Sequence, residues 1–95
     1  MASYYFVKRT ETMKGTGDKE TWYVGKQDMY FDENENLSSY LIQKYGFCNA
    51  AAAKRTGAFK SRGENNWISG ATTSIVKFTI TEDWKILMEE ETEAK

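Results

Sequence analysis

Between Leu37 and Arg62 the chain reads LSSYLIQKYGFCNAAAAKRTGAFKSR, the one stretch with a helical pattern, set between two blocks of strand-like sequence. Leu37, Tyr40, Leu41 and Tyr45 recur at helical spacings and predict an apolar helix face turned towards whatever the flanking strands supply. Asn36 is the predicted N-cap, its side-chain oxygen accepting a backbone N–H that the first turn leaves without a partner. Gly46 follows the last periodic residue and predicts a stop in the left-handed conformation, with Phe47 folding back onto the helix. A second, shorter helix is predicted from the cap Asn49 through Ala50 to Ala53, with Gly57 as its stop.

The blocks on either side alternate as strands do. Ser3 to Met13 is rich in aromatic and β-branched residues and reads as a strand, and Gly15-Thr16-Gly17-Asp18 turns it into a second strand, Glu20 to Gly25. A turn at Lys26-Gln27-Asp28 leads to a short third strand, Met29 to Phe31, and Asp32 to Asn36 is a polar connection into the helix. After the helical middle, Ser61 to Asn66 reads as a loop and Trp67-Ile68 resumes apolar structure. Gly70 to Ser74 interrupts it, and Ile75 to Thr81 places Val76, Phe78 and Ile80 on one strand face. Residues 82 to 91 fit both periods: Trp84, Ile86 and Met88 match a strand, while Trp84, Leu87 and Met88 match a helix. Glu89 to Glu91 at the negative end of a helix dipole tilts the choice towards a strand. The order β-β-β-α-α-β-(β or α) predicts an α+β domain: an antiparallel sheet of four to five strands with two short helices packed on one face. Residues 1–95 form one domain, with 92–95 as a frayed tail.

Histidine is absent and Cys48 is the only cysteine. The commonest general base, the commonest metal ligand and every Ser–His or Cys–His nucleophile pair are therefore unavailable within one chain. Cys48 reads as a small buried hydrophobe. The acids Asp32-Glu33-Asn34-Glu35 lack the spacing and the turn glycine of a calcium loop, and no glycine pattern makes a phosphate cradle. A protein that is not an enzyme and has neither metal nor cofactor is the expectation. No apolar run is long enough to span a bilayer and no secretory signal pattern precedes the first strand, so a cytoplasmic protein is expected.

Charge offers the remaining signal. The net charge is only −1, but from Lys44 to Arg62 no acid occurs, and acidic blocks lie on both sides of this basic middle. Lys54, Arg55, Lys60 and Arg62, with Phe59 between them and Trp67 beyond, are the candidate partner-binding residues, since Arg and aromatic side chains dominate interface energetics. Asp28, Asp32, Glu33, Glu35, Glu89, Glu90 and Glu91 are the candidate acidic patches. The basic segment 54–62 supports an alternative, direct nucleic-acid binding with cations on phosphates and the Phe59 ring stacked on a base.

The segments YYFVKRTET, WYVGK and YLIQKYGFCNAAAAKR resemble the short strand–hairpin–helix accessory proteins encoded by phages and mobile elements of Gram-positive bacteria. That resemblance implies a protein acting in the cytoplasm of a host bacterium as an inhibitor of the anti-CRISPR kind, evading host defence by binding a larger nucleic-acid-handling protein and occupying its surface. It assigns no individual residue a role.

Overall fold

The computed structural model describes residues 2–61 and 63–91. Five strands form a single antiparallel sheet: β1 (Ala2–Met13), β2 (Lys19–Val24), β3 (Tyr30–Asp32), β4 (Ile68–Ile80) and β5 (Ile86–Glu91), in the spatial order β3-β2-β1-β4-β5. The helices α1 (Ser39–Tyr45), α2 (Ala50–Lys54) and α3 (Gly57–Lys60) lie between β3 and β4 in sequence. The fold is therefore α+β, with Ile86–Glu91 a strand and not a helix. The proposed fraying of 92–95 lies outside the described residues.

The two longest strands, β1 and β4, pair along nearly their whole length, with Phe6 opposite Val76 and Val7 opposite Ile75. Gly70 to Ser74 continues β4 rather than interrupting it, because Thr72 and Thr73 pair with Thr10 and Arg9 of β1 and the partner strand supplies what the glycine lacks. Successive strand residues point to opposite faces, and both Phe6 and Val7 are fully buried, so both faces of the sheet are covered. On the Phe6 face, Tyr23, Phe31, Val76, Phe78 and Ile80 pack with Leu37 and with Ile42 of α1. On the Val7 face, Val24 and Ile75 pack with Ala53 of α2, flanked by Ala58 and Phe59 of α3. The helices are thus shared between the faces instead of gathered on one.

The chain changes sides at Gly46–Phe47. Past Val24, where β2 stops pairing with β1, Phe47 takes the vacated ladder position: its N–H donates to the Tyr5 carbonyl and the Tyr5 N–H donates back, both at 2.8 Å. Phe47 consequently packs on the Val7 face and does not fold back onto α1. Gly46 has φ −73° and ψ 145°, which is extended, not left-handed. Its lack of a side chain matters through proximity: a Cβ there would lie 2.6 Å from both Tyr4 Cβ and the Ile42 carbonyl oxygen. Gly25 is equally tight, since a Cβ would lie 2.8 Å from Phe6 Cε2.

Capping decides the helix starts. Ser38, not Asn36, caps α1 by accepting the Leu41 N–H at 3.2 Å, so Leu37 precedes the helix while still entering the core. The shift by two positions turns Ile42 inward and leaves Tyr40 64% exposed, outside the predicted apolar face. Asn49 caps α2 as expected, accepting the Ala52 N–H at 2.8 Å. Gly57 opens α3 instead of ending α2, because Thr56 caps a further turn by accepting the Phe59 N–H at 3.2 Å. Beneath α3 lies Arg9, 4% exposed, whose Nη1 donates to the carbonyls of Ala58 at 2.7 Å and Ser61 at 2.8 Å while Nε donates to Glu11 at 3.0 Å. Carbonyls that a four-residue helix cannot satisfy internally receive a buried cation.

Candidate functional site

The fold brings together two of the acidic segments that lie far apart in sequence. On the Phe6 face, β5 and the connector before α1 bound an open groove of 390 Å³ whose lining includes Tyr23, Leu37, Phe78, Ile86 and Met88 with Glu33 and Glu35 at the rim. Tyr23 marks the convergence. Its hydroxyl donates to Met88 Sδ at 3.3 Å, and its pKa is raised, first by burial and then by the negative charges of Glu33 and Glu90. Carboxylates of both segments thus disfavour the phenolate, after burial.

β5 supplies the apolar part of this surface. Ile86, Met88 and Glu90 pair with Ile80, Phe78 and Val76 and so share the Phe6 face, whereas Leu87 and Glu89 lie on the other. The strand is the outer edge of the sheet, and Ile86, Leu87 and Met88 are 37%, 56% and 52% exposed. Glu90 meets Lys8 at 3.7 Å and accepts from Ser74 Oγ at 2.8 Å, and Glu89 meets Lys77 at 3.8 Å. These exposed pairs orient the carboxylates and add little stability. At the strand's start, the turn Thr81–Lys85 holds Trp84 at φ +63° and 69% exposed, beside a second cleft that includes Gln43 of α1 and Ile80. A bulky residue in the left-handed region is a costly conformation, of order 1 kcal/mol or more. The molecule thus holds a large indole outward at an unfavourable backbone position.

The candidate residues distribute unevenly. Glu33 and Glu35 line the groove, Glu90 lies on the same face of β5 as Met88, and Glu89 lies on the other side of β5. Asp32 is the last residue of β3, where its carboxylate accepts the Asn34 N–H at 2.8 Å, and Asp28 is exposed in the one-turn 3-10 segment Lys26–Asp28. The side chain of Glu91 lies outside the described residues. In the basic run, Lys54 is half-buried and Arg55 and Lys60 are exposed, all on α2 or α3 and its flank. Phe59 is half-buried and packs against the Val7-face cluster. Arg62 lies outside the described residues. Trp67 is 77% exposed, and its carbonyl accepts the Lys14 N–H at 2.8 Å at the β1–β2 hairpin end, the opposite end of β4 from Trp84.

Tyr23, Met88, Ile86 and Trp84 join the site only through the fold. The alternation Trp84, Ile86, Met88 was the available signal, but its meaning depended on residues 82–91 being an edge strand. Cys48, expected to be buried, is exposed beside the α2 cap. Among the described residues no helix is long and apolar enough to cross a membrane, and no group of three metal-ligating side chains occurs. Comparison of the chain with protein-family models, curated proteins and solved structures finds no match.

Proposed function

We propose that this protein is a non-enzymatic binding protein, an inhibitor that docks through its acidic β5 side onto a cationic, nucleic-acid-handling surface of a larger protein. The observation that carries the reading is the groove in which Glu33 and Glu35 of the connector before α1 stand beside Ile86 and Met88 of β5, a strand that continues on the same face into Glu90. Carboxylates over an apolar floor match a surface built to hold phosphates, and complementary potentials steer association and select partners. Exposed apolar side chains at Ile86, Leu87, Met88 and Trp84 supply anchors that a purely solubilising acidic face would not need. The lack of histidine and of a second thiol supports action by occupancy over bond chemistry. The likeness of its segments to phage accessory proteins favours an inhibitor of the anti-CRISPR kind. The alternative, nucleic-acid binding through segment 54–62, is less favoured because Phe59 is half-buried against the Val7-face cluster.

The test immobilises the protein, passes nuclease-treated bacterial lysate over it, and elutes with short duplex or single-stranded DNA. Bound proteins that the oligonucleotide displaces support the reading. Retention of proteins that DNA never displaces would count against it.

A further inference from the structure

β5 presents an unpaired edge as well as a charged face. Thr81 N–H donates to the Lys85 carbonyl at 2.8 Å, which makes that opposed pair a hydrogen-bonded one. Antiparallel alternation then directs the backbone groups of Leu87 and Glu89 towards β4 and those of Ile86, Met88 and Glu90 outwards. Sheet edges are ordinarily blunted by proline, charged side chains, a bulge or a covering segment. β5 has no proline and an unbroken register with β4, its one neighbour among the described residues, and its charges are all negative, which repels a like edge and leaves it open to a cationic one.

We infer that β5 accepts an added strand from the partner, an extended segment in which lysine or arginine alternates with apolar residues. This rests on the reading of the acidic side as the docking surface and names how that surface is engaged. Main-chain bonds to Ile86, Met88 and Glu90 supply register, and the groove beside Met88 takes alternate side chains. Charge selects the occupant. Glu33, Glu35, Glu89 and Glu90 outnumber Lys8, Lys77 and the adjacent Lys85 around the strand, so a cationic segment is favoured. A second copy of the same edge would bring three further glutamates, Glu89, Glu90 and Glu91, to this field.

The test uses the full chain and an alternating Lys–Val octapeptide, with an alternating Glu–Val octapeptide as control. Binding of the Lys–Val peptide, with slowed amide exchange at Ile86, Met88 and Glu90, is expected, and no binding of the control. Met88→Pro removes one outward N–H from an edge position that tolerates proline, whereas Met88→Ala keeps it. The proline variant is expected to weaken peptide binding more than tenfold beyond the alanine variant, with unchanged far-ultraviolet dichroism in both. Equal binding by the two variants, binding of both peptides alike, or self-association through β5 would overturn the strand-addition proposal. If only this fails, DNA-displaceable capture from lysate persists; if capture itself fails, the docking surface is wrong.

Discussion

The Tyr23 hydroxyl donates to Met88 Sδ at 3.3 Å although β1 and β4 stand between their strands. In a flat sheet, β2 and β5 would be about 14 Å apart, three strand spacings. The two side chains therefore lean towards each other across the Phe6 face, where the rings of Tyr23 and Phe78 also meet edge-on at 5.5 Å. Their contact lies in the wall of the groove.

The Tyr23 phenol is expected to ionise above the ordinary tyrosine value of about 10, because burial and then Glu33 and Glu90 disfavour its anion. Between the unfolded and folded values the native state keeps a proton that the unfolded chain releases. The contribution to stability is thus complete below about pH 10 and is lost as pH rises through the raised value. Phenolate absorbance should show a late transition that disappears in Tyr23→Phe and moves down in Glu33→Gln and in Glu90→Gln. No change on removing Tyr23 would contradict the assignment.

Arg9→Ala is expected to cost about 2–4 kcal/mol in urea unfolding, since it leaves the Ala58 and Ser61 carbonyls and the Glu11 carboxylate without their buried donor. The loss should show first as faster exchange in α3. Gly63→Ala should act on the same contact, because a Cβ at that residue, with φ +74°, would meet Arg9 Nη2.

Gly46→Ala is expected to destabilise by about 1–3 kcal/mol through crowding of Tyr4 and Ile42, although its backbone angles suit any residue. Gly57→Ala, where a Cβ meets nothing, serves as the comparison and should leave the unfolding midpoint unchanged or raised.

The α+β class, the β1–β2 hairpin and the Asn49 cap were legible because each rests on local chemistry: alternation, turn glycines and a side-chain oxygen at a helix start. The sharing of the helices between two faces was not. It follows from Phe47 completing a ladder with Tyr5, a pairing across 42 residues that no local pattern encodes. Likewise Ser38 and Asn36 are both acceptable caps on local grounds, and burial of Ile42 goes with Ser38. The acidic blocks were visible in the sequence, but the approach of Glu33 and Glu35 to β5 depends on strand order, and the packing of Phe59 against the Val7-face cluster depends on where α3 lies.

Trp84→Gly should separate stability from binding. Relief of the left-handed backbone at φ +63° is expected to raise stability by about 1 kcal/mol, measured by urea unfolding. Loss of the exposed indole should weaken capture of the DNA-displaceable partner. A variant that is destabilised, or that captures as well as the original, would remove Trp84 from the docking surface.

The most direct test sets two charge reversals side by side in the DNA-displaceable capture assay: Glu33→Lys/Glu90→Lys on the groove, and Lys54→Glu/Arg55→Glu on α2 and its cap. Loss of capture in the first pair and retention in the second is the predicted result. Full capture by the groove variant, or its loss only when Lys54 and Arg55 are reversed, would contradict docking through the acidic β5 side.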